Sequence, residues 1–155
     1  LLPSQCITHL LARITDVERP EIWISRVADD TLLTQARALD QLLQEDGPSV
    51  LARMPLFGVP FAIKDNIDAL GLPTTAGCTE FSFTPQRSAT VVEKLQAAGA
   101  LLIGKTNLDQ FATGLVGTRS PYGAVRNAID PAYVSGGSSS GSAVAVALGL
   151  VGFSL

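Results

Sequence analysis

Apolar positions recur along the chain with two different periods. From Thr31 to Leu43, TLLTQARALDQLL sets Leu32, Ala36, Leu39 and Leu43 three or four residues apart, which is one face of an amphipathic helix. Asp46-Gly47-Pro48 ends it. Within MPLFGVPFAIKDNI, the short apolar run Val59 to Ile63 is bounded by turn residues and suits a buried strand. Asp68 to Gly77 is rich in Gly, Pro and Thr and reads as a loop. SATVVEKLQAAGA then returns to helical spacing from Ser88, with Val91, Val92, Leu95 and Ala98 on one face and Gly99 just past its end. LLIGK, Leu101 to Lys105, reads as a second strand.

Strand, helix and strand with short connections form a βαβ unit, so the fold class is α/β with a parallel strand pair covered by helices. Thr106 with Asp109 three residues on is a partial capping signal, which predicts a helix over Asn107 to Ala112. Thr113 to Pro131 is loop-like. Ser135 to Ser142 is wholly Ser and Gly and runs into AVAVALGL, a small-residue helix or buried segment.

Composition narrows the function classes. The chain has 155 residues, 46% of them hydrophobic and 16% charged, which excludes disorder for most of its length. Its net charge of −3, without a basic block, gives no footprint for nucleic acid or an anionic membrane. The uncharged stretch from residue 131 onward ends in thirteen largely apolar residues, short of the ~20 that span a bilayer. The opening LLPSQCITHLLARI lacks the basic region and cleavage site of a signal peptide. Cys6 and Cys78 form no C-x-x-C pair, and His9 is the only histidine, so metal chemistry has no ligand set. A cytoplasmic protein with reduced thiols and no metal is the expectation.

The octet SGGSSSGS admits several readings. As a linker it would be expected to open a new polar domain, and it meets an apolar segment instead. Gly136 and Gly141 have phosphate-loop spacing, but Ser142-Ala143 stand where Lys and Ser/Thr would be needed. Gly137-Ser138-Ser139-Ser140-Gly141 satisfies G-x-S-x-G, yet no histidine follows it. Serine chemistry without histidine needs another base, and a lysine desolvated enough to be neutral supplies one. Lys64 closes the apolar run of the first strand and is the candidate. Alone it would read as a lysine extending from a strand end into solvent, and Lys105 at the end of the second strand competes on pattern.

Two separated motifs, GVPFAIKDNID (Gly58 to Asp68) and GGSSSGSAVAVALG (Gly136 to Gly149), resemble the amidase signature family, in order and with the βαβ unit between them. DQFATGLVGTRSPYG (Asp109 to Gly123) further resembles the allophanate hydrolase branch, including the amidase part of urea amidolyases. The resemblance implies a mixed sheet flanked by helices and a Ser-cisSer-Lys triad. Lys64 then matches the base, and Ser138 matches the middle serine, which follows a cis peptide. Gly137 falls in the acyl site, and Gly114 matches a substrate-contacting glycine. The substrate would be a small amide, with no metal or organic cofactor in the chemistry and no nucleic-acid or membrane partner.

The family's acyl-forming serine lies in a further segment that does not occur here. The expectation is an N-terminal portion of the domain, with residues 1–50 a helical segment and residues 51–155 the core up to a point before the nucleophile. Two other readings stay open at this stage. One is the amidase subunit of a tRNA-dependent amidotransferase, and the other is a non-catalytic binding or assembly fragment. The amphipathic face of the N-terminal helices is a candidate homodimer contact.

Overall fold

Helix α1 (Pro3–Val17) buries Pro3, Ile7, Leu10 and Ile14, a stripe spaced for one helical face. After a short 3₁₀ turn over Pro20–Ile22, the chain forms strand β1 (Trp23–Arg26) and then α2 (Asp29–Asp46). Leu32 and Ala36 of α2 are buried as their spacing predicts, and Leu39 and Leu43 are half-buried. Asp40, on the same side, accepts the Ser4 N–H at 3.1 Å. It thereby satisfies one of the free donors at the start of α1. The computed structural model describes residues 1–155.

After the single turn of α3 (Ser49–Arg53) come β2 (Pro60–Lys64), α4 (Thr90–Ala97) and β3 (Leu101–Thr106). β2 and β3 pair in parallel, so the predicted βαβ unit is present. Gly99 takes φ +92°, and a side chain there would press within 2.9 Å of the Phe57 backbone. Both the helix ending and the close approach therefore favour glycine. Val91, placed on the buried face by its spacing, instead turns to solvent; Val92 alone in this helix is fully enclosed.

The sheet has four strands in the order β1-β3-β2-β4, with β4 (Phe153–Ser154) parallel to β2 and β1 antiparallel to β3. It is therefore mixed. Alternation along the central strands builds two cores. Ala62, Leu101 and Ile103 face α1, α2 and the late helix α5 (Ser140–Ala147). Phe61, Ile63 and Leu102 face the opposite way, with Val92 of α4 and the stacked ring of Phe153. Strands covered on both faces read as continuous apolar runs rather than alternating ones.

The predicted helix over Asn107 to Ala112 does not form. The chain leaves β3 extended and makes only a 3₁₀ turn over Gln110–Ala112, with Phe111 and Ala112 at φ +51° and +58°. A right-handed helix does not propagate through such residues. Thr106 is the last strand residue rather than a cap, and its hydroxyl donates to Ile63 O at 3.2 Å. The Asp109 carboxylate serves backbone N–H groups eight and ten residues downstream instead of capping a helix.

Candidate active site

The candidate site lies at the carboxyl ends of the parallel strands, where open α/β sheets commonly bind ligands. Lys64 is the final residue of β2 and is half-buried. Its backbone is fixed by an N–H bond to Leu155 O at 2.8 Å. Its Nζ stands 2.7 Å from Ser138 Oγ and 3.0 Å from Ser139 Oγ, donating to both while protonated. Burial holds the Lys64 pKa below the ordinary lysine value, and the negative charge of Asp109 works in the opposite sense. The Gly137–Ser138 peptide is cis.

The Ser/Gly octet divides its labour. Ser138 and Ser139 face the lysine, whereas Ser140 and Ser142 are buried and hold the start of α5. Ser140 Oγ donates to Asn107 O at 3.3 Å, and the Gly141 N–H reaches the same carbonyl at 3.0 Å. Ser142 Oγ lies 2.7 Å from Thr106 Oγ1 and 3.0 Å from Leu155 O. The residues following β3 thus form the seat on which the serine-bearing segment rests. Small side chains are needed because this helix docks directly on main chain.

Lys105 is not part of this cluster. It is fully buried, with Nζ 3.0 Å from both Pro73 O and Thr74 Oγ1 and 3.3 Å from Asp65 Oδ1. Burial lowers its pKa and Asp65 counters that. Of the two lysines that competed in the sequence, only Lys64 meets the serines.

Gly114 and Gly137 both pack against the Asp109 carboxylate, and the Gly137 N–H donates to Leu115 O at 3.0 Å. Sequence reasoning did not single out Ser139, Asn107 or Asp109 as site residues. Asn107 is fully buried, donating to Glu21 O at 2.9 Å and Gly123 O at 3.0 Å and accepting from Ser120 Oγ at 2.6 Å. For Asn107 and Asp109 the signal that could have found them was a cluster of polar side chains directly after a mainly apolar strand, and for Ser139 its place in the Ser/Gly octet. No group of three or more His, Cys, Asp or Glu side chains is arranged to hold a metal ion, and no helix is long and apolar enough to cross a membrane.

Fold and site together define an α/β protein with a lysine–serine pair at the ends of parallel strands. The chain belongs to the amidase family: residues 5–155 match the family model described as Amidase. It is 47% identical to the urea amidolyase of Saccharomyces cerevisiae over 98% of its own length, which is 8% of that protein. It is 48% identical to a glutamyl-tRNA(Gln) amidotransferase subunit from an Exiguobacterium species, over 92% of this chain and 31% of the relative. Among solved structures, the allophanate hydrolase of Kluyveromyces lactis is 46% identical with a TM-score of 0.80, covering 96% of this chain and 24% of that one. The chain therefore spans less than a third of the length of each of these relatives.

Proposed function

We propose that the protein carrying this chain is an amidohydrolase that cleaves a small carboxylated urea, allophanate, with release of ammonia in the cytoplasm. Neutral Lys64 takes a proton from the Ser138 hydroxyl as Ser138 takes one from a nucleophilic serine. That serine attacks the amide carbonyl, the proton leaves with the nitrogen as ammonia, and water hydrolyses the acyl-enzyme. Gly114 and Gly137 belong to the wall of the acyl site. In this reading residues 1–50 and 51–155 are two parts of one amidase domain whose nucleophile lies outside them.

The observation that carries the reading is the 2.7 Å approach of Lys64 Nζ to Ser138 Oγ, across 74 positions of sequence. A base must lie within hydrogen-bond reach of the proton it moves, and this one does. Likeness to urea amidolyase and allophanate hydrolase supports the substrate class. In the full-length protein, Lys64→Ala is expected to lower ammonia release from allophanate by at least about 10³-fold, within the range for losing a general base. Turnover at the wild-type rate in that variant overturns the assignment.

A second reading is favoured by the 48% identity to a subunit of the tRNA-dependent amidotransferase. There the same pair would liberate ammonia for transfer within a complex. Ammonia transfer to a charged tRNA, with no free hydrolysis of allophanate, would select it.

A further inference from the structure

Asp109 is fully buried and lies where three stretches of chain meet. Its Oδ1 accepts the Arg119 N–H at 2.9 Å and its Oδ2 accepts the Gly117 N–H at 3.1 Å. Its own N–H donates to the carbonyl of Ser138 at 3.1 Å. The Gly137 N–H closes the ring by bonding Leu115 O at 3.0 Å. A methyl group at Gly114 or at Gly137 would overlap the Asp109 carboxylate, and one at Gly117 would press within 2.8 Å of Ser140 Cβ. The glycines on either side of the site thus leave the space that this one side chain fills. No lysine or arginine side chain forms an ion pair with it.

We propose that Asp109 is a positioning residue of the Lys64–Ser138 site, its carboxylate clasping the Gly114–Arg119 loop onto the Gly137–Ser138 segment while its main chain fixes the Ser138 carbonyl. The proposal rests on the reading of Lys64 as base. It has an electrostatic consequence as well. Burial of the carboxylate opposes its ionisation, but N–H groups of Arg119, Gly117, Val116 and Thr118 outweigh this and keep it charged. That charge acts on Lys64 and favours its protonated form. The other groups around Lys64 do not duplicate it. Asp65, the residue after it, faces Lys105 of β3, and α5 and β4 carry no ionisable side chain.

Removing the charge while keeping the shape should therefore let Lys64 lose its proton at lower pH. In the full-length protein, with ammonia release from allophanate as the assay, Asp109→Asn is expected to lower kcat by about 10²-fold, the scale of an ångström-sized misplacement. KM should change far less, and the acid limb of the kcat profile should move to lower pH. Asp109→Glu keeps the charge and displaces the carboxylate, so kcat falls while the limb stays. A merely structural role would reduce the amount of folded enzyme and move neither the limb nor the kcat-to-KM balance. Asp109→Asn with wild-type kcat and an unmoved limb overturns the proposal.

Should Asp109→Asn fail to fold, Gly114→Ala carries the test, and a folded protein with wild-type turnover overturns it. An independent measurement needs no turnover: the pH midpoint for labelling Lys64 with an amine reagent, read by mass spectrometry. The midpoint is expected to fall in Asp109→Asn, and an unmoved midpoint counts against the proposal whether or not allophanate is the substrate. Absence of allophanate hydrolysis in the wild type, by contrast, defeats the functional reading and leaves the labelling result to judge Asp109.

Discussion

Lys105 and Asp65 have fully buried side chains and hold opposite charges 3.3 Å apart in the interior. Asp65 Oδ2 also accepts Thr75 N–H at 2.9 Å and Thr75 Oγ1 at 2.6 Å, so the pair ties the 73–75 loop beneath the strand ends. Taking charges out of water is costly, and such a pair is worth most when neither partner is left alone. Lys105→Met keeps most of the apolar stem and strands the Asp65 carboxylate without a cation. Its expected cost is about 3–5 kcal/mol, the usual penalty for breaking a buried ion pair, read as a lower urea midpoint. An unchanged midpoint would show that water or a neighbour already compensates Asp65. The same two lysines mark what was legible at this scale. Both end an apolar strand, so pattern cannot separate them, whereas the resemblance chose Lys64. The partners that divide them, Ser138 at 2.7 Å and Asp65 at 3.3 Å, lie 74 and 40 positions away in sequence.

The decisive element for the site is α5, because the serines that meet Lys64 lead directly into it. Gly141 sits in its first turn, and a side chain there would come within 2.6 Å of Asn107 N and 2.9 Å of Asn107 O. Those atoms are main chain and cannot swing aside. Gly141→Ala is normally favourable within a helix, by about 1 kcal/mol. Here the helix must lift off its seat, so we expect a net destabilisation of about 1–3 kcal/mol, typical of overpacking. Activity should fall with it, because Ser138 moves with the helix. A stabilised, fully active Gly141→Ala protein would contradict the packing described. Elements with several turns or a bounded apolar run, α2, β2, α4 and β3, were readable from periodicity. β1 spans four half-buried residues and β4 only two, too short to show a period, and both owe their existence to pairing with the central strands. The misread segment Asn107 to Ala112 has helix-like local signals. Asn107 and Asp109 satisfy backbone groups of the 117–123 loop instead, and tertiary bonds override the local preference.

Across the whole molecule, the long stretch from residue 107 to residue 139 contains one 3₁₀ turn and no longer element. Two acids organise it, one clasping it internally and the other tying it to the turn before β1. One is Asp109; the other is Glu21, whose Oε1 accepts Arg19 Nε at 2.6 Å and Arg126 Nε at 3.0 Å. The Arg19 guanidinium also bonds the Arg126 carbonyl, joining the turn before β1 to the far side of the loop. Burial pushes the Glu21 pKa up, but the hydrogen bonds from Arg126 and Arg19 outweigh it and hold the carboxyl below its ordinary value. For an acid whose pKa is lower in the folded than in the unfolded chain, the unfolded chain binds more protons as the pH drops. The stabilisation is therefore complete above the unfolded value, about 4.3 for glutamate, and is lost as the pH falls through the lower folded value. The urea midpoint should hold between neutral pH and about pH 5 and then decline as these clamps are protonated. Glu21→Gln should begin from a lower midpoint at pH 7 and decline less steeply, because part of the acid-sensitive stabilisation is already gone. Parallel profiles for the variant and the wild type would mean that Glu21 contributes no pH-dependent anchoring, and that the loop is held on this side by Asn107 and the backbone of Arg126 alone.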